Sequence, residues 1–187
     1  MATTKTVSGL PMQHRFITTH KDDGSSVFST AIPSDLEIQP ISPDLEFSLP
    51  YTTSTAPVDM GGDADIDAYR SHLEGTKPGI VNKGGSILRC CNFAPGLTTA
   101  MHRTVSLDYG IVIAGEVECV LDSGESRLMK VGDVTIQRGT NHAWRVPSTE
   151  HWARMIFILQ EAKPLEIGGQ KLKEDYGGIP NVAPSNM

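Results

Sequence analysis

The sequence predicts an all-β protein, a small antiparallel barrel or sandwich in a single domain, and three observations predict it. From Gly84 to about residue 160, apolar and polar residues alternate with period two in short runs. Turn residues break those runs every several positions, as at Pro95–Gly96, Ala114–Gly115 and the DSGE stretch at 122–125. Helical periodicity is nearly absent. The size agrees, since 187 residues with 39% apolar and 20% charged residues have the balance of one ordinary globular domain.

Taken in order, residues 1–60 read as an arm of short extended pieces, HRFITTH, SSVFSTAI, LEIQPIS and LEFSLPY, broken by Pro33, Pro40, Pro43 and Pro50. The density of Phe16, Phe28, Phe47 and Tyr51 predicts that the arm is packed rather than loose, because aromatic side chains at that density usually bury. Residues 61–80 carry one short helix, DADIDAYRSHLEG, capped by Asp63 or Asp65 and ended by Gly75. Residues 81–165 supply the barrel strands: SILRCCNFA, MHRTVS, LDYGIVI, EVECVL, SRLMKV, DVTIQ, HAWRV and ARMIFIL. In EVECVL, Glu116 and Glu118 face outward and Val117, Cys119 and Leu121 inward; ARMIFIL is apolar on both faces, as a central strand is. Residues 166–187 form a tail, with one helical turn and a frayed end.

Composition narrows the partners. The formal net charge is −6 and no Lys/Arg cluster occurs, which argues against nucleic acid and anionic membranes as partners. No apolar run reaches membrane-span length and the N-terminus lacks an apolar signal core, so a soluble, cytoplasmic protein is expected. Cys90, Cys91 and Cys119 are an odd set with two adjacent members, read as reduced, buried thiols rather than disulfides or a zinc site.

Two stretches carry chemistry. In PGLTTAMHRTVSLDYGIVIAG, Gly96 is followed by His102, Thr104, Asp108 and Gly115; in GDVTIQRGTNHAWRV, Gly132 and Gly139 precede His142. Side chains two apart on a strand share a face, so His102 and Thr104 look the same way and Tyr109 looks away from Asp108. A closed barrel brings His142 to them. These spacings resemble the two signature motifs of the cupin superfamily, G-x5-H-x-H-x3/4-E-x6-G and G-x5-P-x-G-x2-H-x3-N. Thr104 stands in place of the second histidine and Asp108 in place of the glutamate. In the second motif the first spacer is one residue short, Gln137 takes the proline position and Val146 the asparagine position.

The resemblance implies a single cupin, an antiparallel jelly-roll barrel with an extended N-terminal arm, forming a homodimer through that arm. It is similar in particular to short cupins encoded beside polyketide synthases in fungal secondary metabolism. That implies a tailoring enzyme for an aromatic or polyketide-like small-molecule substrate, of lyase type: dehydratase, decarboxylase or cyclase.

Two chemistries fit the residues. His102, Asp108 and His142 are a two-histidine, one-carboxylate set of the kind that holds a divalent metal (Fe, Zn, Mn or Ni), as in Fe(II) dioxygenases. Without metal, the same three form an acid–base group, with Thr104 donating a hydroxyl to a developing oxyanion. Arg138 and Trp144 are candidate substrate-binding residues, Arg138 as an anion fork and Trp144 as an aromatic wall. Arg103 reads as surface charge and His151 as a rim residue; His14, His20 and His72 receive no role. A non-catalytic small-molecule-binding barrel remains a third reading, because fold alone does not fix function.

Overall fold

The computed structural model describes residues 7–75 and 77–185. In chain order the elements are β1 (Thr18–His20), β2 (Ser26–Phe28), β3 (Gln39–Ser42), β4 (Leu45–Thr53), helix α1 (Ala64–Glu74), β5 (Ser86–Phe93), β6 (Ser106–Ala114), β7 (Val117–Leu121), β8 (Ser126–Met129), β9 (Val134–Arg138), β10 (His142–Arg145), β11 (Ala153–Glu161), β12 (Glu166–Ile167) and β13 (Gln170–Lys171). Six strands form one sheet in the order β3-β4-β5-β11-β6-β9, and a second sheet runs β10-β7-β8. The ladders are antiparallel, as the alternating sequence requires.

The core lies between these two sheets. Ile87, Val112, Met155 and Phe157 from the larger sheet meet Val117, Cys119 and Trp144 from the smaller one. Each fully buried apolar side chain contributes about 1.5–3 kcal/mol relative to exposure. β11 is the central strand of the larger sheet, paired to β5 on one edge and β6 on the other, which accounts for its apolar run. All three cysteines are buried and free.

The arm divides in two. β3 and β4 extend the chain's own large sheet beyond β5 as edge strands. β4 passes through Pro50 by shifting register between Ser48 and Tyr51, since proline has no N–H to give the ladder. Phe47 and Tyr51 pack inward as expected, Tyr51 against the fully buried Tyr69 of α1. Phe16 and Phe28 do not: they are 72% and 71% exposed on the β1–β2 hairpin, packed edge-on against each other with ring centres 6.2 Å apart. Asp63 is the N-cap of α1 without a side-chain capping bond, and Asp65 instead accepts the Tyr51 hydroxyl at 2.5 Å.

Two further expectations change. MHRTVS is not a strand: before Ser106 this part of the chain makes only isolated bridges, Thr98 to Arg145 and His102 to His142 of β10 and Arg103 to Asp175 of the tail, and the Thr99 hydroxyl takes the Trp144 N–H that a ladder carbonyl would accept. The tail carries no helical turn among its described residues. It forms the β12–β13 hairpin at Gly168–Gly169 and then returns to the barrel, where Asn181 donates to the Ile41 carbonyl at 2.9 Å and Ile179 and Val182 join the core.

Gly110 deserves its residue type for steric reasons. A β-carbon there would lie 2.9 Å from the Phe157 ring and 2.8 Å from the Thr135 methyl. Gly110→Ala is therefore expected to destabilise the fold by about 1–3 kcal/mol, as overpacking does. Equilibrium denaturation checks this, and a variant as stable as the parent would mean that the Phe157 ring moves freely.

Candidate functional site

His102 and His142 are joined first by their backbones. Each N–H donates to the other's carbonyl, at 2.8 and 2.9 Å, so the two residues form a mutual bridge between the 97–103 segment and β10. Their rings face each other with centres 4.3 Å apart. Each ring is then aimed by the same local device: Nδ1 of His102 lies 2.9 Å from the Ala100 carbonyl and Nδ1 of His142 lies 2.9 Å from the Thr140 carbonyl. A carbonyl only accepts, so both Nδ1 atoms carry the proton and both Nε2 atoms keep a free lone pair.

Asp108 sits on β6, opposite Gln137 of β9 and Leu159 of β11. Its Oδ2 accepts from the Thr104 hydroxyl at 3.2 Å, and Thr104 in turn accepts from the Ser106 hydroxyl at 2.7 Å. Oδ1 is buried without a hydrogen-bond partner. Such an atom costs about 1–3 kcal/mol, a cost folds accept chiefly where the group has work to do.

These residues, with Trp144 and Phe157, line a cavity of about 50 Å³ between the sheets, whose other walls are apolar except for Arg89. Trp144 packs edge-on against His142 at 5.3 Å and tilts against Phe157 at 5.4 Å, so it is a wall of the cavity. His102, Thr104, Asp108, His142 and Trp144 are thus brought together. Arg138 is not: it is exposed at the end of β9 and lines a separate surface pocket with Arg103, a pocket that shares only Thr104 with the barrel cavity. Tyr109 is absent from the cavity lining, as alternation predicts. His14, given no role above, lies 2.9 Å from Asp35 in an exposed pair.

Burial sets the electrostatics. Desolvation pushes the Asp108 carboxyl up to about 6, against a smaller downward pull from the Ser106 and Thr104 hydroxyls. Burial lowers His102, and burial together with the neighbouring His102 ring lowers His142 to about 3. At neutral pH both imidazoles are therefore uncharged, while Asp108 titrates close to pH 6. Carbon-13 NMR of the Asp108 carboxyl should show a midpoint near pH 6, with the His142 ring signal flat between pH 5 and 8. A His142 ring that titrates near its ordinary value would refute this arrangement.

Among the described residues no three His, Cys, Asp or Glu side chains are grouped closely enough to hold a divalent metal. Thr104 occupies the position of a further imidazole, and its hydroxyl engages the carboxylate that would be the third ligand. As placed, these residues do not fit a divalent metal.

Arg89 lines the same cavity, 8% exposed, with its guanidinium over the Phe47 ring. The sequence carries a signal for it: in SILRCCNF, period two puts Arg89 on the face of Ile87, Cys91 and Phe93, a charge on the apolar side of a strand.

The chain is 50% identical over 173 residues to phomopsin biosynthesis cluster protein D of Diaporthe leptostromiformis, covering 92% of this chain and 91% of that protein. It is 44% identical to oryzines biosynthesis cluster protein J of Aspergillus oryzae, over 90% of this chain and 94% of that one. It is 38% identical to a cupin-domain-containing oxidoreductase of Aspergillus ruber, over 92% and 84% of the two chains. Among solved structures, KdgF from Halomonas sp. aligns with a TM-score of 0.46 at 16% identity, over 68% of this chain and 89% of that chain. No family model matches.

Proposed function

We propose a function from one premise: the chain belongs to the cupin family, and its relatives include proteins of fungal biosynthesis clusters. On that premise it is a small-molecule tailoring enzyme of secondary metabolism, acting by proton transfer inside the barrel as a lyase or isomerase. The observation that carries this reading is Asp108, a buried carboxylate with one oxygen unpartnered, beside two neutral imidazoles that present bare lone pairs.

The roles divide by acidity. A proton-transfer group works best with a pKa near the operating pH, and burial brings the Asp108 carboxyl up toward that range, to about 6. Asp108 Oδ1 takes a proton from a carbon next to a substrate carbonyl, and returns it at a second position or to a leaving hydroxyl. His102 and His142, whose charged forms burial disfavours, accept hydrogen bonds from substrate hydroxyls through Nε2 and so fix the reacting carbon against Asp108. Thr104, backed by Ser106, steadies the carboxylate.

Mass balance of the reaction tests the proposal. A product isomeric with its substrate, or lighter by water, formed without oxygen uptake, is the expected result. The second reading, an oxidoreductase such as an Fe(II) dioxygenase, is favoured by the description of relatives at 34–38% identity as cupin-domain-containing oxidoreductases. Stoichiometric iron in the purified protein together with oxygen uptake would put it first.

A further inference from the structure

Arg89 is a buried cation with almost nothing to hold. Its Nη2 donates to the Gly79 carbonyl at 2.8 Å and its Nε is buried without a partner. None of the ion pairs among the described residues includes it. The acidic groups that act on it are the Cys91 thiol and the Tyr176 phenol, and burial pushes both upward, leaving them neutral at pH 7. A guanidinium this far from water normally has a carboxylate opposite it.

Its position points to what fills that role. Arg89 and Phe47 are the two residues that line both the barrel cavity and an adjoining cleft of about 380 Å³. The barrel cavity alone holds little more than a water or two, whereas a cleft of this volume lies in the range of small-molecule sites. Across the sheet, Arg89 pairs with Phe157, which pairs with Gly110, two residues along β6 from Asp108. Strand spacing and rise then put the Arg89 and Asp108 backbones roughly 12 Å apart. Both side chains face inward over that span.

We propose that Arg89 recognises the substrate, and that the substrate carries a carboxylate. The carboxylate is gripped by the fork of Arg89 at the boundary of the two cavities, the body of the molecule lies in the cleft, and the reacting end reaches Asp108 and the imidazoles. This names a substrate class for the barrel and rests on reading the barrel as a substrate site.

Benzoate and its neutral isostere benzamide are the probes, titrated into the full-length protein and followed by the Trp144 indole NMR signal. Benzoate should bind at least tenfold more tightly than benzamide. R89M, which keeps the length of the stem, should lose that preference and remain folded, because it removes an unpaired buried charge. R89K should keep part of it, since an ammonium cannot form the fork; if R89M does not fold, R89K decides. Equal binding of the two probes by the parent, or a benzoate preference that survives undiminished in the variants, overturns the proposal. No turnover is involved, so a failure of the proton-transfer reading, with Asp108→Asn still active, is a separate result.

Discussion

Replacing Asp108 by asparagine is expected to lower turnover by about 10²- to 10⁴-fold, the usual worth of a positioned acid or base, while the barrel remains folded. The amide keeps the size of the side chain but cannot exchange a proton. Stability separates this effect from damage. Because the folded protein raises the Asp108 carboxyl to about 6 from an ordinary 3.8, it favours the protonated form, and the stability this contributes is full below the unfolded value and lost as pH rises through 6. The variant lacks that loss. Its stability relative to the parent should therefore improve by about 1–2 kcal/mol between pH 5 and pH 7.5. The lowered histidines work in the opposite sense, losing stability as pH falls through and below 6.5, but they are common to both proteins and cancel in the difference. Urea denaturation at the two pH values measures it. An active variant, or a relative stability that falls over this interval, would remove Asp108 from the centre of the chemistry.

Phe157→Ala is expected to be the most destabilising simple truncation near the site, by about 3–5 kcal/mol. The ring occupies the space that Gly110 leaves open and rests against Trp144, which in turn supports His142. Its loss therefore enlarges a cavity already present and unseats the imidazole wall. For a chain of this length the melting temperature should fall by roughly 6–20 °C. Phe157→Leu, which refills most of the volume, should recover the greater part of that loss; if both variants melted with the parent, the row from Gly110 to His142 would not be a packed unit.

Most of the barrel was legible because a strand buried on one face writes its register into alternate residues. β5, β6, β7, β9, β10 and β11 fall within two residues of the runs read from the sequence, and His102, Thr104, Asp108 and His142 meet on one inner wall. What escaped depends on long-range pairing or on single side chains. The Thr99 hydroxyl that interrupts a ladder is invisible to periodicity, as is the return of the tail onto Ile41. Phe16 and Phe28 look like core residues in the sequence, but the two-stranded hairpin that carries them has no covering layer. Arg138 stands near His142 in sequence but lines another pocket, whereas Arg89, distant in sequence, lines the same cavity as His142.

The reciprocal bridge between His102 and His142 makes the imidazole wall measurable without a substrate. The same two amide protons that hold the segments together are buried in the pairing, so their rates of hydrogen–deuterium exchange report how often the wall comes apart. The two should exchange in step, and a ligand seated against the rings should slow both at once, giving a screen for binding partners that needs neither a chromophore nor a product.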